Sequence, residues 1–285
     1  MKLVRYGTAG EEKPGLVDWQ GCIRDLSGHV ADITGAMLAP ASLARLAALP
    51  VESLPVVRGT PRLGPCVNHV SKIVCVGLNY SDHAAETNAQ VPSEPILFQK
   101  ATTAITGPDD TILLPRGSTH TDWEVELGVV IGRRAQYVPK DRAMAFVAGF
   151  CIVNDVSERH YQTQRCGQWT KGKSCDTFCP MGPWLVTPDE IPDPQALMLR
   201  LDVNGRRRQT GNTGTMVFGV AHLVSYISEF MTLLPGDLIA TGTPPGVGMG
   251  QKPPTFLQPG DVIELSIDGL GRARQTVRAW TDAAP

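Results

Sequence analysis

Apolar positions along this chain recur mostly at intervals of two, in short runs closed by glycine or proline, and this predicts many strands and few helices. The run around which the others are arranged is residues 121–132, Thr-Asp-Trp-Glu-Val-Glu-Leu-Gly-Val-Val-Ile-Gly. Read as one strand, it puts Glu124 and Glu126 on one face and Trp123, Val125 and Leu127 on the other. Further strand-like runs cover residues 71–77, 96–100, 148–155, 181–186, 197–204, 238–242 and 262–267. Asn204-Gly205 marks a hairpin, and Pro-Gly-Asp turns at 235–237 and 259–261 each open a strand. Helical spacing is expected at 40–49, at 140–147, after Ser157 with Glu158 in the first turn, and at 217–231, whereas 169–180 reads as a loop entering a strand. The class is therefore α+β, mainly β, with a small N-terminal domain over residues 1–70 and a main domain over 71–285.

Composition narrows the function classes. With 26 basic and 28 acidic residues among 285, the chain has no field that points to nucleic acid or to an anionic membrane. No apolar run reaches the roughly 18 residues of a membrane span, and the N-terminus has no apolar core of signal-peptide length, so a cytoplasmic enzyme is the expectation. The seven cysteines form no C-x-x-C pair and several lie in apolar runs, which fits reduced thiols.

Two carboxylates on one strand face repel unless water or a cation separates them. Glu124-x-Glu126 alone is compatible with an exposed strand face; a third carboxylate, Asp155, at the end of another apolar run favours a hard divalent cation, Mg²⁺ or Mn²⁺. His83 and Glu86, three apart after the turn at Gly77, can form a base oriented by a carboxylate, or an exposed polar pair. Residues 80–92 read as a lid. Arg159 and Gln162 project together beyond Asp155, where Arg159 suits an anionic substrate or pairs with an acid such as Glu158. Lys173 stands beside apolar sequence, and Thr243 at a strand end can bond a substrate carboxylate. The glycines of 242–250 are followed by Pro253-Pro254, which argues against a nucleotide-binding helix.

Gly77-Leu78-Asn79-Tyr80-Ser81-Asp82-His83 with Glu86, Trp123-Glu124-Val125-Glu126, Asn154-Asp155-Val156-Ser157-Glu158-Arg159 with Gln162, Gly172-Lys173-Ser174 and Thr241-Gly242-Thr243-Pro244-Pro245-Gly246 together resemble the fumarylacetoacetate hydrolase family, in order, over about residues 71–270. The resemblance implies a mixed β-roll behind a small N-terminal α/β domain, a homodimer, and a small anionic 2-oxo acid as substrate. It implies Glu124, Glu126 and Asp155 as ligands of Mg²⁺ or Mn²⁺, and His83, Glu86 and Lys173 as catalytic residues. Arg159, Gln162, Lys173, Thr243 and Tyr80 are implied in substrate binding, and Asp122 is a supporting candidate outside the family's Glu-x-Glu. The implied reaction is hydrolysis of a C–C bond in an acylpyruvate or a 2,4-diketo-3-deoxy sugar acid, with oxaloacetate decarboxylation, or another lyase or hydratase reaction, as the rival. Cys175, where an aromatic residue is expected, and Gly214 depart from the pattern and leave the distal part of the substrate open.

Overall fold

The structure is a computed structural model that describes residues 1–82 and 90–281. Among the described residues, seventeen strands, most of them in two main sheets, are accompanied by four short α-helices and several 3-10 turns. The larger has ten strands, with the order β3 (Ile23–Asp25), β2 (Lys13–Val17), β1 (Lys2–Tyr6), β12 (Cys179–Val186), β10 (Val147–Asn154), β9 (Val125–Ile131), β15 (Leu238–Ala240), β4 (Ile73–Gly77) and β5 (Ile96–Lys100), while β6 (Ile105–Thr106) pairs with β12 to one side. The smaller runs β14 (Arg206–Asn212), β13 (Met198–Val203), β16 (Val262–Ile267), β17 (Gly271–Ala279) and β7 (Ile112–Leu114).

The two sheets differ in burial, and their sequences show why. β4, β9, β10 and β15 are buried at every position, as near-continuous Val/Ile/Leu runs require. In β13 and β16 buried residues alternate with more exposed ones, so Leu199, Leu201, Val203, Ile263, Leu265 and Ile267 face inward. That inner face packs across β9 and β10. The expected hairpin is present, with Asn204 at φ 52° and Gly205 at φ 70°, both in the left-handed region that such turns require.

Several boundaries differ from the sequence reading. The run 121–132 is not one strand: β8 (Thr121–Asp122) pairs with β11 (Ser157–Glu158), and β9 starts only at Val125. Side chains replace the ladder at the break, with Trp123 N donating to Asp122 Oδ1 (2.8 Å), Glu124 N to Asn154 Oδ1 (3.1 Å) and Val125 N to Gln209 Oε1 (3.0 Å). Residues 140–146 form a 3-10 helix. Helix α2 (Arg159–Thr163) is capped by Glu158, not Ser157, because the Glu158 carboxylate reaches His160 N and also accepts from Ser118 and Thr121. The segment expected as a loop at 169–180 contains a short helix, α3 (Thr170–Lys173). It follows α1 (Pro40–Ala47) and α2 in the chain and precedes α4 (Val220–Phe230).

The N-terminal strands join the main sheet through β1 and β12, with Lys2 opposite Val186 and Leu3 opposite Leu185. An ionic network ties the same segment to the loop after β6. Arg5 Nε bonds Asp32 (2.7 Å) and its Nη2 bonds Glu12 (3.2 Å), while Arg62 bridges Glu12 (2.8 Å) and Asp110 (2.6 Å). Burial alone would raise the Asp32 carboxyl, but Arg5 and Asn68 outweigh it and hold it below its ordinary value, and Arg62 with Arg5 does the same for Glu12. Depressed carboxyls stabilise the fold above their unfolded pKa of about 4 and lose that contribution as pH falls through the folded values. Arg5→Met, which leaves two part-buried carboxylates to Arg62 and Asn68 alone, is expected to cost about 1–2 kcal/mol at pH 7 in chemical denaturation. The gap to the wild type should narrow at pH 3; a gap that does not change with pH would remove the network from the stability of this fold.

Candidate metal and substrate site

The sheet order brings the site together. β9 lies between β10 and β15, which places the start of β9 beside the end of β10 and the end of β15. β15 runs parallel to β4, so Thr241–Thr243 and Gly77–Leu78 leave the sheet at the same edge. Oxygens of Glu124, Glu126 and Asp155 lie within 4.8 Å of one another, all three residues buried. At that spacing each pair repels by about 3–4 kcal/mol for an effective dielectric constant of about 20.

Cations offset part of this. Lys173 Nζ bridges Glu124 Oε2 (2.9 Å) and Asp155 Oδ2 (2.7 Å). Lys100 Nζ holds Asp155 Oδ1 (2.6 Å) and the Val156 carbonyl (3.0 Å). Arg159 has three engaged nitrogens: Nε on Asp122 (2.9 Å), Nη2 on Glu124 (2.7 Å) and Nη1 on Gln162 Oε1 (3.0 Å). Burial would lower the Lys173 and Arg159 pKa values, yet the facing carboxylates outweigh it and raise both. Burial would likewise raise Glu124, but Lys173 and Arg159 hold it well below the usual carboxylate range. Among the described residues Glu126 is bonded directly by no cation. It accepts from Gly242 N (2.8 Å), and burial together with Asp155 and Glu124 pushes it well up.

That imbalance is the test for a metal. A divalent cation among the three carboxylates would favour ionised Glu126, and each oxygen of Glu124 and Asp155 holds one hydrogen bond and keeps a lone pair for a ligand bond. An all-oxygen set is the chemistry of a hard ion, so these residues fit Mg²⁺ or Mn²⁺. The phenolic oxygen of Tyr80, fully buried, has no partner among the described residues. Burial and then Glu126 push its pKa well up, which keeps it a neutral donor beside the acidic cluster.

A cavity of about 210 Å³ opens over this cluster. Its lining combines Glu124, Glu126, Arg159, Gln162, Thr163, Lys173 and Thr243 with the apolar Val76, Leu78, Phe98, Trp169, Val247 and Met249. Tyr80 is not among the lining residues. The Thr243 hydroxyl donates to Val125 O (2.9 Å) and accepts from Gln209 (2.8 Å), so it fixes the start of β9 and its donor is already engaged. Lys173 reaches the carboxylates because α3 packs hard on α2: a Cβ on Gly172 would lie 2.4 Å from Glu158 O and 2.5 Å from Gln162 N. The alternative pairing of Arg159 with Glu158 is not made. His83 and Glu86 lie outside the described residues.

Sequence reasoning left four supporting residues unassigned. Lys100 was only the end of a strand. Asn154, Gln209 and Gln275 are almost fully buried, and Asn154 Nδ2 donates to Gln275 Oε1 (3.1 Å), so the smaller sheet braces the metal strands of the larger one. A signal existed for Gln275, which occupies an inward position between Ala273 and Val277 in the alternation of β17. Asp122 holds Arg159 as well as Gly248 N (2.6 Å) and Met249 N (3.0 Å), a supporting role in agreement with its place on the strand.

Comparison with known proteins agrees with this geometry. A family model described as fumarylacetoacetate (FAA) hydrolase C-terminal matches residues 72–278. A hydrolase of Burkholderia cenocepacia, whose name gives no substrate, is 59% identical over 279 residues, 98% of this chain and 99% of that protein. Maleylpyruvate hydrolase from Sphingobium sp. SYK-6, solved with manganese(II) and pyruvate, superposes with a TM-score of 0.81 at 28% identity over 99% of this chain and 100% of its own. A 2-hydroxyhepta-2,4-diene-1,7-dioate isomerase from Mycobacterium marinum superposes with a TM-score of 0.74 at 34% identity, covering 98% of each chain. Among the described residues no helix is long and apolar enough to cross a membrane.

Glu126→Gln keeps the shape of the side chain and removes one ligand charge. Its Mn²⁺ affinity, measured by titration calorimetry, should fall by about 100-fold or more. Without metal the same substitution relieves repulsion and should raise the thermal midpoint by about 2–4 °C for each kcal/mol gained. Unchanged Mn²⁺ affinity would place the ion elsewhere.

Proposed function

Because this chain belongs to the fumarylacetoacetate hydrolase family, we propose that it hydrolyses the C–C bond between C3 and C4 of a 2,4-dioxo acid, giving pyruvate and a short carboxylic acid. The observation that carries this reading is the buried triad Glu124, Glu126 and Asp155, which faces a small cavity next to Arg159, Gln162 and Lys173. When bound, Mg²⁺ or Mn²⁺ would supply Lewis-acid polarisation of the 2-oxo group and stabilise the enolate left when the bond breaks.

The chain's own residues divide the remaining tasks. Arg159 has N–H donors beyond the three it uses within the protein, and the Gln162 amide nitrogen has no partner among the described residues, so the two can hold the substrate carboxylate. Lys173 keeps the positive charge that balances Glu124 and Asp155, and its raised pKa means it stays protonated near neutral pH. His83, oriented by Glu86, takes the proton of the water that attacks C4; this assignment rests on the family resemblance. Enolate protonation at C3 then completes pyruvate, and the hydroxyl from water ends in the released acid. The Sphingobium relative solved with manganese and pyruvate supports the same half of the substrate here.

The test is pyruvate release from a panel of acylpyruvates, 2,4-diketo-3-deoxy sugar acids and oxaloacetate, with Mg²⁺ or Mn²⁺ and with a chelator, recording CO₂ in parallel. Metal-dependent pyruvate without CO₂, with a loss of about 100-fold or more in His83→Ala, is expected. CO₂ in step with pyruvate, from oxaloacetate alone, would make the enzyme a decarboxylase and sink the hydrolase reading.

A further inference from the structure

We infer that the acyl half of the substrate is short, uncharged and apolar, neither a second carboxylate nor a polyhydroxy chain. The inference rests on the reading above for where the pyruvate half lies. It deepens that reading by assigning the apolar part of the cavity lining.

That part of the wall carries Val76, Leu78, Phe98, Trp169, Val247 and Met249. It is a built surface rather than an accident of loop placement. Trp169 sits edge-on to Phe98, ring centres 5.3 Å apart, and lies so close to the backbone that a Cβ on Gly77 would meet it at 2.6 Å. Leu78 is held at φ 50°, a conformation a leucine adopts only when its surroundings impose it, and its side chain lines the same wall. Phe98 adjoins the charged part of the lining, with Lys173 Nζ 5.1 Å from its ring centre.

Charge supports the same conclusion. Within this cluster the four buried carboxylates Asp122, Glu124, Glu126 and Asp155, when all are ionised, exceed the three buried cations Lys100, Arg159 and Lys173 by one charge. A bound dication reverses the sign to one positive charge, and a single substrate carboxylate neutralises it. Among the described residues that line the cavity, no further cation is left to receive a second carboxylate. Nor does the neighbouring sequence provide one, because residues 73–99, which include Val76, Leu78 and Phe98, contain no lysine or arginine. Sugar hydroxyls fare little better, since among the described residues the uncharged polar side chains of the lining are Gln162, Thr163 and Thr243, and the Thr243 donor is already engaged.

Two measurements on the full-length protein separate this inference from the reading it rests on. In the first, kcat/KM is measured for acetyl-, propionyl- and butanoylpyruvate, for maleylpyruvate and for a 2,4-diketo-3-deoxy sugar acid. It should rise about threefold to fourfold per methylene along the alkyl series and be at least about 100-fold lower for the two polar substrates. In the second, calorimetry with Mn²⁺ present compares binding of 2-oxohexanoate with that of 2-oxoadipate, which carries a distal carboxylate. The apolar acid should bind more tightly, and Met249→Lys, at a part-exposed position of the lining, should improve 2-oxoadipate binding by about tenfold or more. If no dioxo acid is cleaved, the hydrolase reading fails and the binding order alone decides the nature of the wall. Cleavage with a preference for maleylpyruvate or the sugar acid would overturn the apolar assignment and leave C–C hydrolysis standing, and tighter binding of 2-oxoadipate by the unaltered protein would overturn the same assignment.

Discussion

Three carboxylates brought within 4.8 Å of one another in the interior set the terms for the rest of this molecule. Such a cluster is unfavourable by several kcal/mol per pair and persists only if the surrounding fold over-determines it and supplies opposite charge. Lys100, Lys173 and Arg159 supply much of that charge from three different elements. Among the described residues Glu126 is left without a cation bonded to it, and burial beside Asp155 and Glu124 pushes its carboxyl well up. The protein is therefore incomplete in charge at one point, and a hard dication is the species whose size, charge and taste for oxygen match the deficit.

The geometry that holds the cluster is shared between the two sheets. A simple β-strand could not present Glu124 and Glu126 as they stand, because the chain must leave the ladder at Trp123 and rejoin it at Val125. The orphaned N–H groups at that break are taken by Asn154 and Gln209, and Asn154 is held in turn by Gln275. Buried amides with complete hydrogen bonding are worth more as positioning devices than as net stability. Their presence explains why the smaller sheet, which contributes no ligand, is packed against the metal strands. Thr243 belongs to this frame too, its hydroxyl tying Gln209 to Val125.

The cavity above the cluster has a mixed lining. Its charged and polar residues come from β9, α2, α3 and the segment after β15, and its apolar ones from β4, β5, the residue entering α3 and the segment 247–249. The apolar part is tightly packed at Gly77 and Trp169 and is flanked by a stretch of sequence, 73–99, without lysine or arginine.

The local sequence determined the strands, the hairpin at Asn204-Gly205, the strand-opening Pro-Gly-Asp turns and the three carboxylates, because each depends on short-range periodicity or on residue types with one dominant chemistry. It also carried the family, through motifs in a fixed order. What it could not determine were contacts made at long range. The break at Trp123 depends on Gln209, more than eighty residues away in the chain. The helix at Thr170–Lys173 is too short to declare itself by periodicity and exists because Gly172 lets it close on α2. The partner of Arg159 was open between an adjacent glutamate and a distant acid until the fold placed Asp122 and Glu124 within reach and engaged Glu158 at a helix cap. Lys100 read as the end of a strand, and only the tertiary structure turned it into a buried counterion. Sequence states which groups are available; the free energy of burying them, which depends on neighbours remote in the chain, decides which of them meet.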